Sequence, residues 1–214
     1  ESSKNITNER KRNQEEAKHH EENVKRKVKA IENDKKLKDF IENEAKTLGY
    51  ETKRNEKGNL QIYINGKSDK TIGFCAHVDT LGLMVRSIKS DGTLAFTNVG
   101  GPIIPTLDGE YCRIITRDKK VYTGTILSLS PAAHVFEDSK TRERTCDTMA
   151  IRIDEKVKNK EDVITLGIQN GDYIAIDPKT TITDSGFIKS RFLDDKISVG
   201  SGSRDVVPVL SNCV

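Results

Sequence analysis

The stretch at residues 83–99, LMVRSIKSDGTLAFTNV, consists of two apolar runs joined by the turn residues Ser90-Asp91-Gly92. Two short runs around a glycine-containing turn are typical of a β-hairpin. Similar runs continue to about residue 182, and they are separated by Asp108-Gly109, Asp118-Lys119-Lys120 and Asn170-Gly171-Asp172. The regular spacing predicts a small β-barrel or sandwich, interrupted once by a short helix at residues 160–167.

The segment before these strands has a different pattern. Between a polar cap at Asn33-Asp34 and a terminating Gly49, apolar side chains recur at helical spacing, namely Leu37, Phe40, Ile41, Ala45 and Leu48. They predict an amphipathic helix. Residues 60–64 alternate in polarity, and residues 71–76, TIGFCA, form an apolar run that we expect to be a buried strand. The predicted fold class is therefore α/β, a mixed sheet with helices, together with the β-rich region.

The two ends of the chain differ in composition from the rest. Residues 1–32 are dense in charged and polar side chains and carry only a thin apolar stripe at helical spacing. This pattern predicts an exposed, charged helix in which His19 and His20 are solvated. At the other end, Gly200-Ser201-Gly202-Ser203 has the composition of a flexible linker, and residues 206–210 are strand-like.

Composition limits the classes of partner. The chain has 36 basic and 33 acidic residues in 214, and its net charge of +3 argues against a nucleic-acid partner. No apolar run approaches the roughly 18 residues that span a bilayer, and no signal peptide is visible, so we expect no membrane partner and a cytoplasmic protein. The chain begins at Glu1, which indicates a trimmed, partial or recombinant polypeptide. Four widely spaced cysteines argue against a thiolate zinc site, and Cys75 and Cys112 are predicted to be buried.

Two clusters carry residues suited to metal chemistry. The first, FCAHVDT at residues 74–80, places His77 and Asp79 on the same face of an extended chain. The second, SRFLDDK at residues 190–196, contains the adjacent acids Asp194 and Asp195. Imidazole and carboxylate are ligands of hydrolytic metal centres, and a second carboxylate often orients the imidazole. From the residues alone, a hydrogen-bonded His–Asp pair and acids at a helix N-terminus stay open as simpler interpretations.

Longer stretches carry a resemblance to a known family. They are AHVDTLG at residues 76–82, IKSDG at 88–92, LGI at 166–168 with GDY at 171–173, and SGFIKSRFLDDK at 185–196. From about residue 34 to 199 the sequence resembles the dinuclear metallo-aminopeptidases, which include glutamyl and deblocking aminopeptidases and the tetrahedral TET particles. The resemblance implies a partial α/β catalytic domain interrupted by a β-barrel insert used for oligomer contacts. It also implies His77 as a metal ligand, Asp194 as the bridging ligand, Asp79 as the support of His77 and Asp195 as a supporting acid.

The resemblance implies a reaction as well. In such a site two divalent ions, zinc or cobalt, activate a water molecule toward the peptide carbonyl beside a free N-terminus. The expected partners are a peptide substrate and, through the insert, further copies of the chain. The family also needs a Glu-Glu pair after Asp194, a later Asp and a distal His. None can be placed, because Asp205 lies at the wrong distance and no histidine follows His134, which we expect to make a local hydrogen bond. We therefore expect the chain to be catalytically incomplete and to hold the two ions only in part.

The predicted domains follow from these expectations. They are a charged helix foreign to the family at 1–32, a partial catalytic domain at 33–84 and 186–199, a β-rich insert at 85–185, and a linker and tail at 200–214. Three functions stay open: a metallo-aminopeptidase, a truncated or engineered non-catalytic scaffold that presents its ends to another protein, and a binding module whose N-terminal helix engages another protein or an acidic polymer. Metal content separates the first two, and the mixed charges of the helix argue against the third.

Overall fold

The computed structural model of the chain describes residues 34–201. The predicted charged helix at 1–32 and the tail beyond residue 201, with Asp205 and the strand-like stretch 206–210, lie outside the described residues. The chain divides into two units. Within the described residues, one unit contains 34–79 and 179–201, and the other is Thr80–Pro178.

The first unit begins with a helix and a hairpin. Helix α1 (Asp34–Thr47) buries Leu37 and Ala45. Its end is the predicted Gly49, whose φ of +82° suits a residue without a side chain. Strands β1 (Glu51–Arg54) and β2 (Leu60–Tyr63) pair antiparallel after it. The prediction of the helix is confirmed.

Charged side chains hold the hairpin to helix α1. Arg54 donates to Asp39 Oδ1 and to Glu42 Oε2, each at 2.7 Å, and Lys46 lies 2.7 Å from Glu42 Oε1. The hydrogen bond from Lys46 and then those from Arg54 lower the pKa of Glu42. Because these groups are exposed, the contacts orient the hairpin and add little stability.

The predicted buried strand at residues 71–76 is wrong. These residues have no strand structure and are exposed, with Ile72 at 83% and Phe74 at 72% exposure. Cys75, predicted to be buried, is exposed as well. The physical reason is that a strand needs a neighbour for its backbone hydrogen bonds. Within residues 34–201, no strand pairs with this run.

The second unit, Thr80–Pro178, forms a closed six-stranded barrel. Its strands are β3 (Gly82–Ile88), β4 (Leu94–Val99), β5 (Tyr111–Ile115), β6 (Val121–Ser128), β7 (Met149–Ile153) and β8 (Tyr173–Ile176). Around the barrel the order is β3-β4-β7-β6-β5-β8, with antiparallel neighbours. Between strands lie a 3-10 helix at Ile104–Leu107 and helix α2 (Lys160–Thr165). The sequence was consistent with either a barrel or a sandwich. The closed order of the six strands shows that it is a barrel.

Alternate side chains of the strands fill the barrel. The fully buried ones include Leu83, Leu94, Phe96, Ile114, Ile126, Met149, Ile151 and Ile174. Each buried aliphatic or aromatic side chain stabilises the fold by about 1.5–3 kcal/mol. Cys112 belongs to this core, as predicted, and burial raises the pKa of its thiol to about 12. The Cys112 thiol therefore packs as an apolar group and is not a nucleophile.

A long loop, residues 129–148, joins β6 to β7 and is held by arginines. Arg144 donates to Asp108 Oδ2 at 3.0 Å and to the carbonyl of Ser139 at 2.8 Å, while Asp108 Oδ1 accepts the backbone N–H of Ser128 at 3.0 Å. His134 is exposed in this loop, and its side chain makes no hydrogen bond to another described residue. The predicted local hydrogen bond of His134 is therefore absent from the described part of the chain.

The chain then returns to the first unit through a small hairpin. Strands β9 (Thr181–Ile182) and β10 (Ile188–Lys189) pair antiparallel, and helix α3 (Lys196–Ser201) follows. The predicted flexible linker does not begin at residue 200, because helix α3 continues through Ser201. The first turn supports it, since the N–H of Ile197 donates to the carbonyl of Leu193 at 2.9 Å.

Candidate functional site

His77 lies between two carboxylates that are distant from each other in the sequence. Its Nδ1 is 3.2 Å from Asp79 Oδ1, and its Nε2 is 3.3 Å from Asp194 Oδ1. Three of the four predicted site residues therefore meet around one imidazole. All three side chains are at least half exposed, so they line an open surface of the first unit.

Local backbone structure explains the two contacts. Residues two apart in an extended chain project to the same side, which allows Asp79 to reach the ring of His77. Asp194 lies between the β9–β10 hairpin and helix α3, in a segment where Phe192 has a φ of 60°. The peptide bond from Asp194 to Asp195 is cis.

Asp195 takes a different position from the other three residues. Its backbone carbonyl accepts the N–H of Val199 at 3.4 Å in the first turn of helix α3. Among residues 34–201, its carboxylate makes no hydrogen bond or ion pair with His77 or Asp194. Its role as a supporting acid stays a prediction.

The ring of His77 faces an acceptor on each side, and this decides what the site can hold. Neutral imidazole carries one N–H and one lone pair, and an ionised carboxylate is an acceptor only. If Nδ1–H donates to Asp79, the lone pair of Nε2 faces the oxygen of Asp194. A metal ion between these two acceptors, which are 3.3 Å apart, would make the arrangement favourable.

The separation of Nε2 and Oδ1 fits a metal ion. A tetrahedral zinc ion about 2.0–2.1 Å from each donor separates two ligand atoms by about 3.3 Å. The donors, one imidazole nitrogen and one carboxylate oxygen, are those that zinc and cobalt accept. The described residues nevertheless contain no group of three or more His, Cys, Asp or Glu side chains that could hold a metal. The site therefore offers two ligands, with Asp79 behind the imidazole.

A pair of hydroxyl residues on the segment that leads to Asp194 was missed by the sequence reasoning. Thr180 Oγ1 and Ser190 Oγ are 2.7 Å apart, and Ser190 donates to the carbonyl of Arg191 at 2.9 Å. Ser190 lies in one of the clusters, but Thr180 carries no motif. Only the register of the β9–β10 hairpin, which continues from Thr181↔Lys189 to this pair, could have indicated it.

An imidazole whose two nitrogens face carboxylates is typical of a metal-dependent hydrolase. The family of M42 glutamyl aminopeptidases matches residues 58–202, and the chain belongs to this family.

Individual relatives agree with this assignment. The putative aminopeptidase YhfE of Bacillus subtilis (strain 168) is 46% identical over 161 residues, which are 75% of this chain and 46% of that protein. The structure of aminopeptidase APDkam598 from the archaeon Desulfurococcus kamchatkensis is 26% identical, with a TM-score of 0.65 over 78% of this chain and 44% of its own. The TET1 peptidase of Pyrococcus horikoshii, which can assemble into a tetrahedron or a large octahedral shell, shares the fold at 22% identity, with a TM-score of 0.66 over 89% of this chain and 56% of its own. The chain thus spans about half the length of these relatives.

In the described part of the chain, no helix combines the length and the apolar character needed to cross a bilayer.

Proposed function

We propose that this chain carries one part of an aminopeptidase metal centre, in which His77 and Asp194 bind a divalent ion and Asp79 orients His77. The observation that carries the proposal is the pair of contacts on the imidazole, 3.2 Å to Asp79 and 3.3 Å to Asp194. Membership of the M42 glutamyl aminopeptidase family supports it. The proposed substrate is a peptide with a free N-terminus.

Each of the three residues has a separate role in the proposed site. Asp79 accepts the hydrogen of Nδ1, which fixes the tautomer of His77 and leaves the Nε2 lone pair for a metal. Asp194 would offer its carboxylate to the same ion, and the family resemblance implies that it would also be shared with a second ion. When bound, zinc or cobalt supplies Lewis acidity and lowers the pKa of a coordinated water. The exposure of the three side chains leaves room for a peptide to reach the site.

We further propose that the chain alone does not hydrolyse peptides. Catalytic zinc sites commonly use three protein ligands for each ion, whereas the described residues supply one imidazole and one carboxylate. The remaining ligands would have to come from another polypeptide or from segments outside residues 34–201. On this proposal the barrel unit, Thr80–Pro178, is the insert that the sequence predicted at 85–185, and copies of the chain associate through it. A non-catalytic scaffold that presents its ends to another protein is the alternative.

The test measures metal and turnover on the same sample. The full chain is dialysed against Zn²⁺ or Co²⁺, its metal is counted by elemental analysis, and leucine and glutamate anilides are offered as substrates. We expect weak binding, fewer than two ions per chain and no turnover. His77→Ala should abolish the binding that remains, and His134→Ala, an exposed histidine in the barrel, is the matched control.

Each contrary outcome removes a defined part of the proposal. Turnover by the chain alone would overturn its incompleteness, and so would two tightly held ions per chain. Equal metal binding by the wild type and His77→Ala would overturn the site itself. Loss of metal binding in the His134→Ala variant would show that the metal binds in the barrel unit and not at His77.

A further inference from the structure

The position of Asp194 needs an explanation, because its own side chain does not provide one. The side chain of Asp194 is 93% exposed, so packing does not fix it. Its distance to His77 must therefore follow from the backbone on either side. After Asp194, helix α3 holds the chain through the bond from Ile197 N–H to the carbonyl of Leu193. Before Asp194, the support is the end of the β9–β10 hairpin.

The hairpin ends in a hydroxyl pair. Thr180 precedes Thr181 and Ser190 follows Lys189, so the antiparallel register of Thr181 with Lys189 places them opposite each other. Ser190 donates its single hydroxyl hydrogen to the carbonyl of Arg191 at 2.9 Å. When Ser190 does so, the hydrogen of the 2.7 Å contact between the two hydroxyls comes from Thr180. The two bonds run from the hairpin to the peptide group of Arg191.

The next residue shows why this peptide group needs support. Phe192 has a φ of 60°, in the left-handed region that residues with a bulky side chain rarely adopt. Such a conformation persists only where the surroundings hold it. The carbonyl of Arg191 belongs to the peptide unit that precedes Phe192, and the hydroxyl of Ser190 holds it. Without that bond, nothing in this peptide unit opposes a return of Phe192 to the right-handed region that such residues prefer.

We propose that Thr180 is a positioning residue for the metal site: through Ser190 and the Arg191 carbonyl it holds the left-handed turn at Phe192 that brings Asp194 to His77. The inference rests on the proposed function for its link to metal binding. The contact between Asp194 and His77 that it explains is a distance of 3.3 Å between two side chains, and the test below follows it separately from metal binding. Among the described residues, the hydrogen bond of the Thr180 side chain goes to Ser190 and not to His77 or Asp194.

The test follows the ring signals of His77 by NMR in the full chain with ¹³C-labelled histidine. Thr180→Val removes the hydroxyl and keeps the shape and the β-branched side chain. Thr180→Ser keeps the hydroxyl. Thr181→Val makes the same substitution at the neighbouring exposed position of the hairpin and is the matched control. Co²⁺ is the probe, and the His77 signals report its binding at this site alone.

Two results are expected. The dissociation constant for Co²⁺ at His77 rises about 3- to 10-fold in Thr180→Val, the change that loss of one hydrogen bond gives, and stays near the wild-type value in Thr180→Ser and Thr181→Val. In metal-free protein, Thr180→Val also moves the His77 signals part of the way toward their positions in Asp194→Asn. Ser190→Ala should reproduce both effects, and the double variant should add little to either single one.

The contrary outcomes separate the two proposals. If wild-type His77 does not respond to Co²⁺, the proposed metal site fails, and the metal-free shift alone decides the role of Thr180. An unchanged Co²⁺ affinity and unchanged His77 signals in Thr180→Val would overturn the positioning role. Equal weakening by Thr181→Val would overturn it too, since the effect would then belong to the hairpin in general.

Discussion

Replacing Gly124 by alanine tests how closely the neighbouring barrel strands β6 and β7 approach each other. Gly124 is buried in β6, and a Cβ added there would lie 2.8 Å from the backbone oxygen of Arg152 and 3.0 Å from Ile151 Cγ2 in the neighbouring strand β7. Rotation of a side chain cannot relieve a contact with a backbone oxygen. The Gly124→Ala variant must therefore push β6 away from β7, where five residue pairs are in register.

The size of the effect follows from two opposing contributions. Overpacking of a core by a methyl group costs about 1–3 kcal/mol. Removal of glycine's freedom in the unfolded chain returns about 0.4–1 kcal/mol. We expect the free energy of unfolding to fall by about 1–2 kcal/mol. For a domain of the size of the barrel unit, Thr80–Pro178, this lowers the melting temperature by about 5–15 °C.

The assay is urea and thermal unfolding followed by circular dichroism, with a second glycine of the barrel unit as control. Gly101 has no atom within 4 Å of an added Cβ, so Gly101→Ala should be neutral or slightly stabilising. A Gly124→Ala variant as stable as Gly101→Ala would refute the close approach of β6 and β7. A loss of stability in both variants would show that the cause is not the contact with Arg152.

Three further predictions concern charge, thiol access and the long loop. The backbone N–H and then the hydroxyl of Thr93 lower the pKa of Asp91 below its ordinary 3.8, so the charged carboxylate stabilises the fold. Wild type should be more stable than Asp91→Asn by about 1 kcal/mol or less, because this site is mostly exposed. The difference in the free energy of unfolding should be complete above pH 4 and should vanish as the pH falls through the lowered pKa of Asp91. Urea titrations at several pH values measure it. A thiol reagent at pH 8 should modify the exposed Cys75 in the native protein. It should reach Cys112 only on unfolding, because burial raises the pKa of that thiol to about 12. Labelling of Cys112 before unfolding, detected in peptide mass spectra, would contradict its burial. Arg144→Met should cost about 1–3 kcal/mol and speed amide exchange in the loop between β6 and β7, whereas unchanged exchange would show that the arginine does not hold it.

The barrel could be predicted from sequence because its pattern is local. Alternating apolar runs and glycine turns such as Ser90-Asp91-Gly92 set both the strands and their reversals within a few residues. The helix that ends at Gly49 could be predicted for the same reason, because its apolar spacing and its terminating glycine lie within a few turns of chain. Closure of the barrel, with β8 pairing both β3 and β5, depends on distant partners, and the sequence left it open.

Residues 71–76 show the limit of the same reasoning. Apolar and β-branched side chains predict a strand, but burial is a property of what packs against it. No described strand supplies that neighbour, so Ile72 and Phe74 are exposed although their sequence is strand-like. The sequence indicated a tendency, and tertiary context decided the outcome.

The site was predictable only in part. His77 and Asp194 were named from ligand chemistry and a family resemblance, and the structure brings them together at 3.3 Å. The means of bringing them together was not predictable. Thr180 and Ser190 meet because of hairpin register, and Phe192 turns left-handed because of its surroundings, neither of which a motif encodes.

The exposed run at residues 71–76 also affects how the protein behaves at high concentration. TIGFCA carries no charge and no proline, and its backbone is not paired within a sheet of the described chain. Short segments of this composition stack into cross-β fibrils when they are accessible. Lys70 lies directly before the run, and a charge at the edge of such a segment opposes its stacking into fibrils.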